Sequence, residues 1–148
     1  MISATRSYEI DMGHALPTHG GKCHRPHGHR YRIEGTWAVE DDETDRPGES
    51  DDGMVMDFAV LKEVMADVLE RFDHCFVMSE DDGRLNDAVD AFGVDVIVVG
   101  FIPTAENLAC AWAEMLIIEM MMSQDDPPKL MKLAVWETPN GMAEWSAP

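Results

Sequence analysis

Cysteine is scarce. Cys23, Cys75 and Cys110 are the only three in 148 residues, an odd and sparse set that does not make a disulfide framework and that suits a reducing compartment. Long apolar runs are missing: the stretch from Val96 to Ile102 is far too short to span a bilayer, and the N-terminus has no apolar core of signal-peptide type. Basic residues are few, 11 against 29 acidic ones, for a net charge of −18. Such a chain is repelled by nucleic acid and by anionic membranes, so neither is expected as a partner. These absences leave a single cytoplasmic domain, 1–148, whose 45% hydrophobic content is enough for a core.

What cationic charge there is gathers at the front. Residues 1–32 carry Arg6, Lys22, Arg25, Arg30 and Arg32 against Glu9 and Asp11, a local net of +3. If an anion binds, this segment is where it should bind. By contrast, residues 40–53 hold Glu40, Asp41, Asp42, Glu43, Asp45, Glu49, Asp51 and Asp52 with one cation, Arg46, the composition of a solvated loop or hairpin tip.

The pattern of elements is α+β. Residues 4–14 alternate with Tyr8, Ile10, Met12 and His14 on one face, and residues 29–39 do the same with Tyr31, Ile33, Trp37 and Val39, so both read as strands. Residues 58–72 have helical spacing, with Phe58, Leu61, Met65, Val68, Leu69 and Phe72 on one face and Asp57 as N-cap. Residues 104–121 form a second predicted helix, capped by Thr104 after Pro103, with Glu106 in the first turn; its methionines read as core or subunit packing. Residues 130–137 and 142–145 form a final hairpin around Pro139-Asn140-Gly141. The apolar run Val94 to Val99 reads either as an extra strand or as an extended lead into the second helix. The expected order is therefore ββααββ: a four-stranded antiparallel sheet with two helices on one face.

Chemistry-bearing residues cluster near the start. His27-Gly28-His29 opens the second strand, and residues i and i+2 of a strand point the same way. His14 ends the preceding strand and can add a third imidazole. Three neutral imidazoles with an open fourth position are the arrangement of catalytic zinc, although a lone His-x-His pair is weak on its own. Cys23, beside Lys22 and the histidines, is either a general base favoured by the positive surroundings or a fourth ligand closing a structural site. Asp73-His74, at the end of the first helix, is either an acid–base pair or an ordinary helix-terminal histidine. Glu137 ends a strand, where a carboxylate can accept two N–H bonds from a guanidine-like ring edge or simply sit at the surface.

Taken together, His14, Lys22-Cys23-x-x-x-His27-Gly28-His29, Gly53-Met54-Val55-Met56-Asp57-Phe58, Asp73-His74, Pro103-Thr104-Ala105-Glu106-Asn107 and Val135-Trp136-Glu137-Thr138 resemble the 6-pyruvoyltetrahydropterin synthase family along nearly the whole chain. The resemblance implies a T-fold whose subunits join through sheet edges, usually as a hexamer of two trimers with active sites between subunits. It implies Zn2+ on His14, His27 and His29, Cys23 as proton-abstracting base, Asp73 and His74 as its acid–base partners, and Glu137, helped by Thr104 and Glu106, as pterin anchor. The implied substrate is 7,8-dihydroneopterin triphosphate or a related pterin. The short gap between Cys23 and His27 resembles the branch that makes 6-carboxytetrahydropterin, acetaldehyde and triphosphate on the way to 7-deazaguanines such as queuosine precursors, with the pyruvoyl-forming synthase as the alternative. Lys22 and Arg25, with Arg30, are the expected phosphate ligands. Departures are Gly13 before the first histidine, Ile10 where an aromatic is usual, Val77-Met78 where Leu-Asn is usual, the acidic segment 40–53 and a long segment 79–102. Two other classes compete: a metal-free hydrolase built on Cys23, His74 and Asp73, and a non-catalytic zinc- or pterin-binding protein.

Overall fold

The computed structural model describes residues 1–92 and 95–148. The two long predicted strands form and pair along their length: β1 (Ile2–His14) lies antiparallel to β2 (His27–Val39), from Ile2 opposite Val39 to His14 opposite His27. Because side chains alternate, Ile10, Met12 and His14 on β1 and Tyr31, Ile33 and Trp37 on β2 are buried on one face. Two helices cover that face. In α1 (Phe58–Leu69), Asp57 caps the first turn by accepting from the Ala59 amide at 2.7 Å, and Leu61, Val64, Met65, Val68 and Leu69 face the core. A single 3-10 turn, Glu70–Phe72, ends this helix short of the expected residue 72. Phe58, expected on the apolar face, is exposed instead, because it sits at the first helical position, outside the contact with the sheet.

The middle of the chain departs from the expected order. Phe76–Ser79 forms β3, Leu85–Phe92 forms α2, and Val96–Val99 forms β4; Val94 lies outside the described residues. Among the described residues the sheet thus has six strands in the order β4-β3-β1-β2-β5-β6, where β5 is Lys129–Thr138 and β6 is Gly141–Ser146. β3 runs parallel to β1 and β4 parallel to β3, so the sheet is mixed, not four-stranded and antiparallel, and there are three α-helices among the described residues. The physical reason is connectivity: parallel neighbours need a crossover, and α1 and α2 supply the two crossovers.

The second long helix, α3 (Ala105–Ser123), is capped by Thr104, whose hydroxyl accepts from the Asn107 amide at 3.3 Å. It buries Leu108, Trp112, Leu116 and Met120, while Met121 and Met122 point to solvent. Each large apolar side chain removed from water contributes about 1.5–3 kcal/mol. Beyond the short pairing of Gly13 and His14 with β3, the outer edge of β1 has no strand neighbour among the described residues.

Candidate metal and acid–base site

The antiparallel register puts His14 directly opposite His27, and the alternation of β2 puts His29 and Tyr31 on the same face. His14, His27 and His29 each offer one ring nitrogen, and these nitrogens lie within 4.8 Å of one another. Backbone carbonyls fix two of the rings. His14 Nδ1 donates to the carbonyl of Pro103 at 2.7 Å, and His27 Nδ1 donates to that of Arg25 at 2.8 Å. A carbonyl only accepts, so in the neutral rings both Nε2 atoms are lone-pair donors to a metal, and they face each other at 3.1 Å. His29 Nε2 is buried without a hydrogen-bond partner among the described residues. Three convergent lone pairs, one of them orphaned, are poorly matched to each other and well matched to a cation with nitrogen preference, such as Zn2+. Burial pushes both His14 and His29 below the usual histidine range, with Glu137 pulling the other way, and the neutral form is the one that binds metal.

Glu137 stands beside the triad, with Oε1 3.8 Å from His14 Nε2. Tyr31 holds it there: the fully buried hydroxyl donates to Glu137 Oε1 at 3.2 Å. Burial, and then the negative charge of Glu137, push the Tyr31 hydroxyl far above the ordinary tyrosine range, so it stays a donor. Its expected place was only as a core residue of the strand. The signal that could have singled it out is its spacing, two residues after His29 and four after His27 on one strand face.

Cys23 sits in a one-turn 3-10 helix, Lys22–His24, just before β2. Its carbonyl accepts from the Leu16 amide at 3.0 Å, and His24 Nδ1 donates to the Pro17 carbonyl at 2.9 Å. The side chain is half-buried, while Lys22 and Arg25 are exposed around it. Arg30 is already engaged by Asp11, through Nε at 3.0 Å and Nη2 at 2.8 Å. Thr104 spends its hydroxyl on the helix cap, and Glu106 is exposed in the first turn of α3.

Asp73 and His74 form a pair, His74 Nδ1 to Asp73 Oδ2 at 2.8 Å. The backbone of β1 anchors it: Asp73 Oδ1 accepts from the Asp11 amide at 2.7 Å, and the His74 amide donates to the Asp11 carbonyl at 2.6 Å. His74 adopts a left-handed backbone with φ of 59° and its imidazole is 77% exposed, whereas His14 is 1% exposed. The pair therefore opens outward, into a cleft of about 990 Å³ lined by Asp11, Gly13, Gly28, Arg30, Phe76 and the α2 residue Ala88. His27 and His29 line it as well. Within one chain the structure gathers the histidine triad with Tyr31 and Glu137, and His74 lines the same cleft as His27 and His29.

No helix among the described residues is long and apolar enough to cross a membrane. Residues 3–148 match the family described as 6-pyruvoyl tetrahydropterin synthase. A curated relative from Rickettsia conorii, named 6-carboxy-5,6,7,8-tetrahydropterin synthase, is 33% identical over 97% of this chain and 99% of its own. Among solved structures, an uncharacterized protein from Wolinella succinogenes is similar with a TM-score of 0.75 at 20% identity, both chains covered in full. The 6-pyruvoyl tetrahydropterin synthase of Caenorhabditis elegans is similar with a TM-score of 0.68 at 24% identity, covering 99% of this chain and 96% of that one. At those identities the two structures speak for the fold, and the sequence matches speak for kinship. The chain belongs to the 6-pyruvoyl tetrahydropterin synthase family and, like its curated relatives, is a 6-carboxytetrahydropterin synthase-like lyase.

Proposed function

We propose that this chain converts 7,8-dihydroneopterin triphosphate to 6-carboxytetrahydropterin, acetaldehyde and triphosphate, as a zinc enzyme of 7-deazaguanine biosynthesis built on an oligomeric T-fold. The observation that carries the reading is the convergence of His14, His27 and His29 beside a Glu137 held by a buried tyrosine. His14, His27 and His29 would hold the ion, and zinc bound there supplies Lewis-acid polarisation of a substrate hydroxyl, which acidifies the adjacent C–H.

The remaining work falls to side chains. Glu137, with one oxygen fixed by Tyr31, accepts N–H bonds from the guanidine-like edge of the pterin, helped by Thr104 and Glu106 at the entry of α3, which the Pro103 carbonyl ties to His14. Cys23 takes the proton from the side-chain carbon. The Asp73–His74 pair moves a proton in the opposite direction, its imidazole oriented by the carboxylate. That pair faces outward, and the edge of β1 is open, so the reading includes a second subunit whose own thiol and histidines complete the site. Lys22 and Arg25, both exposed near the thiol, meet the triphosphate in an otherwise acidic chain.

Mass spectrometry of the zinc-loaded protein after incubation with 7,8-dihydroneopterin triphosphate tests this, with Cys23→Ala alongside. 6-Carboxytetrahydropterin from the wild type and none from the variant is the expected result. 6-Pyruvoyltetrahydropterin would move the chain to the sister reaction, and unchanged substrate would contradict turnover altogether.

A further inference from the structure

The segment between β3 and α2 has a tie to the catalytic loop that the reaction as described leaves unused. Asp82 is 3% exposed, and its carboxylate is matched by one arginine: Arg84 Nε donates to Oδ1 at 2.9 Å and Nη2 to Oδ2 at 2.7 Å. The Arg84 amide adds a third bond to Oδ1 at 3.0 Å. The other arm of the guanidinium, Nη1, crosses to a distant part of the chain and donates to the carbonyl of His24 at 2.8 Å. His24 closes the one-turn helix that carries Cys23.

Among the described residues that turn has few other anchors. The Leu16 amide bonds the Cys23 carbonyl, and the His24 ring bonds the Pro17 carbonyl, both from the loop that follows β1. Arg84 adds a tie from the segment that follows β3. Its own end is rigid, since the Asp82 amide is bonded to the Ser79 carbonyl of β3 and the Leu85 amide to the Asp82 carbonyl. The charge of Arg84 is spent on Asp82, whose carboxyl is held below the usual range chiefly by this bond. A third arm with its charge neutralised is suited to fixing a backbone carbonyl, not to capturing phosphate. Only the planar fork of arginine can hold a carboxylate with two nitrogens and a carbonyl with the third.

We propose that Arg84 is a positioning residue, strapping the Cys23 turn to β3 and so fixing the thiol relative to the histidine triad. The proposal rests on the reading of Cys23 as the base. It is tested with Arg84→Ala and Arg84→Lys, the second retaining a cation for Asp82 while losing the reach to His24. Hydrogen exchange is measured first, on the full-length protein without pterin. Exchange of amides in residues 16–25 should accelerate at least tenfold in both variants, with the β1–β2 ladder unchanged. In steady-state kinetics, kcat should fall tenfold or more while KM stays within threefold. Unchanged exchange would overturn the strap, and faster exchange with an unchanged kcat would overturn positioning. If the wild type itself shows no turnover, the proposed reaction fails, and the strap is decided by exchange alone.

Discussion

Replacing Tyr31 by phenylalanine removes one oxygen from the centre of the site and nothing else. The hydroxyl is buried and has one proton to give; Glu137 Oε1 receives it at 3.2 Å. The hydroxyl also lies 3.3 Å from both ring nitrogens of His14, but His14 Nδ1 already donates to Pro103, so that contact is packing against the ring and not a second directed bond. A hydrogen bond to a charged acceptor is worth about 1.5–3 kcal/mol. Here the bond is long, and Glu137 is 29% exposed, so water can take up part of the loss. The expected cost is about 1 kcal/mol, which for a chain of this size lowers the melting temperature by about 2–4 °C. Denaturant unfolding of Tyr31→Phe, Glu137→Gln and the double variant closes a cycle, and a coupling of about 0.5–1 kcal/mol is expected between neighbours that share a bond. Because Tyr31 orients the proposed pterin anchor, KM should rise about fivefold, the equivalent of the same free energy. Full additivity of the two substitutions would refute the view that Tyr31 holds Glu137.

Two other perturbations are independent of the pterin. In Gly35→Ala the new methyl would clash with Cη2 of Trp37, a fully buried ring, so denaturant unfolding should show a loss of about 1–3 kcal/mol; an unchanged midpoint would mean that the sheet yields at this point. Asp82→Asn should alter the acid limb of stability. The Asp82 carboxyl is depressed in the folded chain by Arg84, so its contribution is present above the unfolded value of about 3.9 and is lost as pH falls through the lower folded value. The stability gap between wild type and variant, measured by thermal unfolding, should therefore be steady above pH 5 and close below about pH 4; a gap independent of pH would contradict it.

The parts of this fold that could be read from sequence are those whose signal is local. Period-two alternation at Tyr8–His14 and Tyr31–Val39 gave the two strands, and Asp57 and Thr104 act as the caps their residue types suggest. The same alternation brought His14, His27 and His29 together, since an antiparallel register is enough to converge them. The pairing of β3 with β1 and of β4 with β3 was not legible, because four residues carry little periodicity and parallel pairing is decided by crossovers. Two contacts in the site escaped for a related reason. Tyr31 meets Glu137 across 106 residues of chain, and Arg84 meets His24 across 60, and neither spacing leaves a local mark.

The central claim is that the histidine triad holds a metal on which the chemistry depends. Its most direct test is acetaldehyde release from 7,8-dihydroneopterin triphosphate by protein stripped with a chelator and then titrated with zinc, His29→Ala serving as control. The account predicts no release from stripped protein, recovery that saturates at one zinc per chain, and no recovery in the variant. Full release by stripped protein, with metal verified absent, would contradict it and favour a metal-free reaction at Cys23, His74 and Asp73.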